Sequence, residues 1–129
     1  MSSEVPEERD LSTVLDSEAL DTIKSLEQPG MPSLLERVIN TYLETAEPIV
    51  EQLKDRFAAN DADGVMHASH SLKSSSANVG AKRLSGMCAE IESYSREGIE
   101  ALSGLDERIT KIAEEFVIVK QALHSELKK

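Results

Sequence analysis

His70-Ser71-Leu72-Lys73-Ser74-Ser75-Ser76-Ala77-Asn78-Val79-Gly80 reads as the second half of an amphipathic helix closed by a glycine. Apolar residues recur at Val65, Leu72 and Val79, a seven-residue period, with Ala68 or Ser69 and Ser75 or Ser76 between them. At about 100° per residue, His70 stands about 200° from Leu72, so the ring and the core stripe face opposite ways. Lys73, three residues on, shares the histidine's face. Gly80 suits the left-handed conformation that ends a helix.

An exposed imidazole beside a mobile cation suits the uptake of an anionic group. A neutral ring nitrogen is a competent nucleophile near physiological pH. A phosphoryl group on it would bring negative charge and acceptor oxygens, which Lys73 can meet with charge and donors. Ser74, Ser75 and Ala77 are small, which leaves room for a partner's active site. The plain alternative is a solvated histidine on a polar face. His67 and His70 also form an i, i+3 pair, but no Glu stands three residues before any histidine, as bundle metal sites require. Asp63 lies near His67 as a single carboxylate, and no functional metal site is expected.

Working outward, Asn60-Asp61-Ala62-Asp63-Gly64 marks a turn and N-cap, so the histidine helix spans about Asp61 to Val79. Before it, Leu35, Val38, Ile39, Tyr42, Ala46, Ile49, Val50, Leu53 and Phe57 trace one stripe, predicting a helix from about Pro32 to Asn60. Pro32 suits its first turn. Pro48 lies inside the stripe, which resumes in phase beyond it. That reads as a tolerated bend, the alternative being two shorter helices. A short first helix carries Leu20, Ile23 and Leu26 behind a cap at Asp16 or Ser17, and Gln28-Pro29-Gly30 breaks it.

After Gly80, a helix over about Ala81 to Arg96 buries Leu84, Met87 or Cys88, and Ile91, with Tyr94 a further candidate. Glu97-Gly98 and Leu102-Ser103-Gly104 bound a loop. The last helix runs from about Leu105 to Leu127, with Leu105, Ile109, Ile112, Phe116, Val119 and Leu123 inward. Four long amphipathic segments with short connections predict an all-α antiparallel up-down four-helix bundle with a short additional N-terminal helix. Residues 1–11 are polar and patternless and are expected to be a disordered lead to one domain over residues 12–127.

Composition narrows the functions. The chain has 129 residues, 24 of them acidic against 14 basic, a formal net charge of −10. Such a surface repels nucleic acid and anionic membrane. No apolar run reaches the length of a membrane span, and the N-terminus lacks an apolar signal core. Cys88 is the single cysteine, so no intramolecular disulfide can form, which suits a reducing compartment. A cytoplasmic protein is expected, with Cys88 as a small core residue.

The segment resembles the H-x-L-K-G-x-x-x-x-x-G-A motif of histidine-containing phosphotransfer (HPt) domains of multistep two-component phosphorelays. It stands here as His70, Leu72, Lys73, Ser74, Gly80 and Ala81. Leu84, Cys88, Ile91 and Glu92 also match a common pattern, and Pro48 falls where many such domains carry a proline. The resemblance runs from about Leu15 to Leu123. It implies that His70 is phosphorylated at its outer ring nitrogen and that Lys73 steadies the phosphoryl group. It implies that Gly80 leaves room for close approach of the next helix. Glu92 falls where a glutamine or acid bonds the inner ring nitrogen, the alternative being a solvated surface acid. Arg83 falls where a basic residue near the site is common, the alternative being an ordinary exposed arginine. Ser74 departs from the usual glycine and should narrow access to the ring without closing it.

The resemblance implies a relay intermediate. His70 would accept a phosphoryl group from a receiver aspartate and pass it to another response-regulator receiver. The chain would need no cofactor of its own, the receiver supplying Mg²⁺, and would have no autonomous kinase activity, since no nucleotide-binding motif is present. Partners would be receiver domains and a hybrid sensor histidine kinase, met by a monomer. Docking would centre on Met66, His67, Ser74, Ala77 and Arg83, with residues near Ile23 weaker candidates. The rival readings are a non-phosphorylated helical adaptor using the same face and a dimerising kinase core. The initiator Met and the polar lead suggest a free-standing protein, the alternative being a domain excised from a hybrid kinase.

Overall fold

The computed structural model describes residues 13–128. Five α-helices follow one another: α1 Ser17–Ser25, α2 Leu34–Ala58, α3 Ala62–Asn78, α4 Lys82–Ser95 and α5 Asp106–Leu127, with a 3-10 turn at Ile99–Leu102 before the last. No strand occurs among the described residues. The lead expected over residues 1–11 lies outside them.

Local chemistry sets the helix starts. Asp16 caps α1 by accepting from the Glu18 amide, and Asp61 caps α3 by accepting from Gly64 N at 3.0 Å. The α2 terminus is capped twice. Ser33 Oγ accepts from Glu36 N at 3.1 Å, and Glu27, from the preceding loop, accepts from Leu35 N at 2.8 Å. Ser33 is therefore the N-cap, and Pro32 lies before the helix instead of in its first turn. The helix runs unbroken through Pro48, which removes the two-helix alternative.

The four long helices close a ring, α2 on α3, α3 on α4, α4 on α5 and α5 back on α2, while α1 packs on α2. Side-chain pairs give the directions. Glu90 and Arg83 of α4 meet Arg108 and Glu115 of α5, and Glu47 of α2 meets Lys120 of α5. Tyr42 near the start of α2 meets Ser76 near the end of α3. Each neighbouring pair is thus antiparallel, as short connections require. Ile39, Leu53, Leu72, Leu84, Ile91, Ile112 and Leu123 are fully buried at the centre. Removing such side chains from water contributes about 2 kcal/mol each before chain entropy is counted.

Some sequence expectations shift. Leu26 is 65% exposed, because it forms the C-cap of α1 beyond the packed face. Tyr94 stays 37% exposed and lies under the Arg108 guanidinium, 5.4 Å from its ring centre, instead of entering the core. Of the Met87 or Cys88 pair, Cys88 is the buried one. Leu43, Ile118 and Ala122 add to the core.

The tightest backbone approach is at Gly80. Its φ is +83°, and a Cβ there would stand 2.8 Å from Asp16 O and 3.3 Å from Ala19 Cβ. Asp16 N donates to Gly80 O at 2.8 Å. The approaching element is therefore the start of α1, where the motif resemblance had implied the next helix. Gly30 has a similar φ of +82° but open space around it. In urea unfolding, Gly30→Ala should cost about 1 kcal/mol, for backbone strain alone. Gly80→Ala should cost about 2 kcal/mol or more, because α1 must also move. Equal losses would show that α1 yields freely at that contact.

Candidate functional site

His70 sits midway along α3 with its side chain 58% exposed. Beneath it lies Glu92 of α4, whose side chain is 4% exposed. Three donors converge on that carboxylate. His70 Nδ1 is 2.9 Å from Oε2, Arg96 Nη2 is 2.7 Å from the same oxygen, and Lys73 Nζ is 2.7 Å from Oε1. The Lys73 hydrogen bond holds the Glu92 carboxyl below the usual carboxylate range. Burial opposes it, and the His70 bond and the charges of both neighbours reinforce it. The carboxylate is enclosed, but by side chains that themselves reach solvent, so the cations outweigh desolvation.

The tautomer follows. An ionised carboxylate can only accept, so the Nδ1 proton lies on the ring nitrogen facing Glu92. In the neutral ring the lone pair is then left on Nε2. The solvated-acid alternative for Glu92 is removed by its burial.

Two details of packing place the pair. Ser69 and Ser76 are buried between helices, and Ser85 Oγ of α4 donates to the backbone carbonyl of Lys73 at 2.9 Å. Such a bond requires α3 and α4 to lie close at the lysine. Cys88, one turn before Glu92, is fully buried. Burial pushes its thiol up to about 12, with Glu92 adding to the shift and Lys73 opposing it, so it stays protonated and inert.

The other candidates divide. His67, Ser74 and Ala77 are exposed on the His70 side of α3, and Met66 is half-buried beside them. Arg83 is turned away. It lies 3.8 Å from Glu115 of α5, because nine residues separate it from Glu92, half a rotation of the helix. The arginine at the site is Arg96, four residues beyond Glu92. That spacing was visible in the sequence as an i, i+4 acid–base pair. Ile23 packs partly buried against the core. Among the described residues no group of three or more His, Cys, Asp or Glu side chains is placed to hold a metal ion. Among them, too, no helix is long and apolar enough to cross a membrane.

Because its folded-state pKa is depressed, Glu92 contributes stability that is complete above the ordinary glutamate value of 4.5 and is lost as pH falls through the folded value. Glu92→Gln should therefore be less stable than wild type at neutral pH, and the difference should shrink as the solution is taken well below that value. Chemical denaturation along a pH series reads this directly. A gap that persists unchanged in acid would assign the loss to shape instead of charge.

Comparison with known proteins bears on the family and the fold. The family model for the Hpt domain matches residues 37–125. The fold is similar to the crystal structure of histidine-containing phosphotransfer protein B (HptB) from Pseudomonas aeruginosa PAO1. The TM-score is 0.78, the match covers 89% of this chain and 95% of that one, and the sequences are 27% identical. No curated protein matches the chain. With the family model matching well over half of its length and the fold similar throughout, this chain belongs to the Hpt family of phosphorelay phosphotransfer proteins.

Proposed function

We propose that this chain is a phosphorelay intermediate that accepts a phosphoryl group on His70 from a receiver aspartate and passes it to the aspartate of another response regulator. The observation that carries the reading is the Nδ1 contact to buried Glu92 beneath a ring that is otherwise exposed. The Nε2 lone pair attacks phosphorus of the aspartyl phosphate. The N–P bond forms, the P–O bond to the aspartyl carboxyl breaks, and the carboxylate leaves with the electron pair. The Nδ1 proton stays on the ring, where Glu92 balances the positive charge the ring gains. The second transfer reverses these events onto a new carboxylate.

Alignment and charge stabilisation dominate such a transfer. Lys73 reaches Glu92 from the same helix face as His70 and can swing to the phosphoryl oxygens. The receiver supplies Mg²⁺ in this reading, and the chain has no autonomous kinase activity. It works as a cytoplasmic monomer alongside a hybrid sensor kinase. Met66, His67, Ser74 and Ala77 surround the ring where the receiver would sit.

The test is phosphotransfer from a labelled phospho-receiver. Wild type should take an acid-labile, alkali-stable label, and His70→Gln none. Lys73→Ala should lower the transfer rate by up to roughly a hundred- to a thousandfold, the order seen when one charge-stabilising donor is removed. A folded protein that takes no label from any of several competent receivers would favour the adaptor reading. Access around the ring is read separately at Ser74. Ser74→Gly should keep or raise the rate and Ser74→Leu should slow it, and an unchanged rate with leucine would end the access argument.

A further inference from the structure

In a chain with 24 acidic residues, no Asp or Glu falls between Asp63 and Glu90. The same stretch carries His67, His70, Lys73, Lys82 and Arg83. In the fold it forms α3 beyond its first turn and the first half of α4. His67, His70, Ser71, Ser74, Ala77 and Asn78 are its exposed residues on α3, and they share one side of that helix.

The neighbouring surface continues the pattern. Between α2 and α3 lies an apolar groove of about 310 Å³, with Val38, Thr41, Ser75 and Val79 in its walls, Arg37 among its lining residues and no carboxylate. On the α4 side the nearest acid is Glu92, buried and bound by Lys73 and Arg96. At the far end Asp16 is held by Lys82 at 3.1 Å. Carboxylates resume at Asp63, at Glu18 and Asp21 on α1 beside Asp16, at Glu44 on α2 outside the groove lining, and at Glu90, which pairs with Arg108 of α5.

We propose that this carboxylate-free window orients the encounter, admitting the acidic phosphorylation pocket of a charged receiver while the rest of the surface repels it. The inference rests on the relay reading above and adds what selects the face. A receiver pocket must hold its divalent ion with carboxylates, and when charged it carries a phosphoryl group as well. Against most of this molecule such a pocket meets exposed Asp and Glu. At the window the repulsion is absent, and Arg37, Lys73 and Arg96 attract. The Debye length is about 8 Å at physiological ionic strength, so an approaching pocket feels the nearby patch and little of the distant charge. Local charge of this kind sets association rate and orientation more than final affinity.

Net charge and local charge predict opposite salt effects, which makes the idea testable. Two acidic proteins that repel overall react faster as salt is added. If the window steers them, they react more slowly. The measurement is the second-order rate of transfer from an acetyl-phosphate-charged receiver domain to this chain, by rapid quench over a range of NaCl. Ala77→Glu is compared with Ala77→Gln, which differs from it in charge and little in size. Val117→Glu places the same charge at a residue 50% exposed on α5, across the ring from α3. Circular dichroism checks that each variant is folded.

The wild-type rate should fall with salt. Ala77→Glu should be about threefold slower than Ala77→Gln at low salt, with the gap closing at high salt. Val117→Glu should match wild type. A wild-type rate that rises with salt, or equal rates for the two Ala77 variants, overturns the inference while label on His70 keeps the relay reading intact. Equal slowing by Val117→Glu also overturns it, since net charge would then be in control. A chain that takes no label from any receiver removes both.

Discussion

A carboxylate buried between two helices has to be balanced where it sits. Glu92 is that group here, and its balance comes from α3 and α4 together: His70 and Lys73 from one, Arg96 from the other. Each partner is more exposed than the acid it serves. The cost of desolvation is thus met by two cations and a ring N–H that keep their own contact with water. Losing any one of them would leave charge under-satisfied in an enclosed place. The arrangement therefore fixes the ring, the lysine and the arginine relative to one another more firmly than their surface positions alone would.

That balance depends on how closely α3 and α4 approach. Small residues are buried around their contact: Ser69 and Ser76 on α3, Ala81 at the cap of α4, and Cys88 on α4, with Ser85 of α4 bridging to α3. Their hydroxyls are not orphaned. Ser69 bonds back to Val65 O, Ser85 reaches Lys73 O, and Ser76 meets the Tyr42 hydroxyl at 2.8 Å. Burial pushes that tyrosine up to about 12, with the Ser76 bond opposing the shift, so the pair stays neutral inside the core. Larger side chains would hold the helices apart and leave Glu92 short of His70. The site is in this sense a consequence of packing, and Gly80, pressed against the start of α1, holds the turn that joins the two helices.

Much of this was legible in the sequence, and the reasons divide cleanly. The bundle followed from apolar periodicity, because a stripe that must be buried dictates both helix and layer. His70 and Lys73 followed from helical phase, because their angle to Leu72 is fixed by geometry. Helix ends were less certain: Pro32 reads as a first-turn residue until the Glu27 and Ser33 bonds show where the amides are satisfied. Arg83 and Arg96 show a different limit. One lies in the first turn of α4 and the other at its C-cap, and only the packed angle of that helix decides that one faces α5 and the other Glu92. The approach of α1 to Gly80 joins segments distant in sequence, and no local pattern encodes it.

The resting geometry also bears on what a carrier needs. A relay histidine has to release its phosphoryl group as readily as it takes it up. If Lys73 and Arg96 stood unpaired beside the ring, they would bind the incoming phosphoryl group with their full strength, and the phosphorylated state would become a trap. Here both begin engaged with Glu92. Turning Lys73 toward phosphoryl oxygens costs it the 2.7 Å bond it already has, so the net stabilisation is the difference between two ion pairs. Interaction that favours bound and transition states alike does not speed a transfer. In the proposed relay, setting one carboxylate against the phosphoryl group as a competing anion would keep charge available during transfer and limit how tightly the product is held. In the proposed relay, Glu92 therefore serves exchange in both directions: it points the ring, and it moderates the cations that would otherwise favour one side.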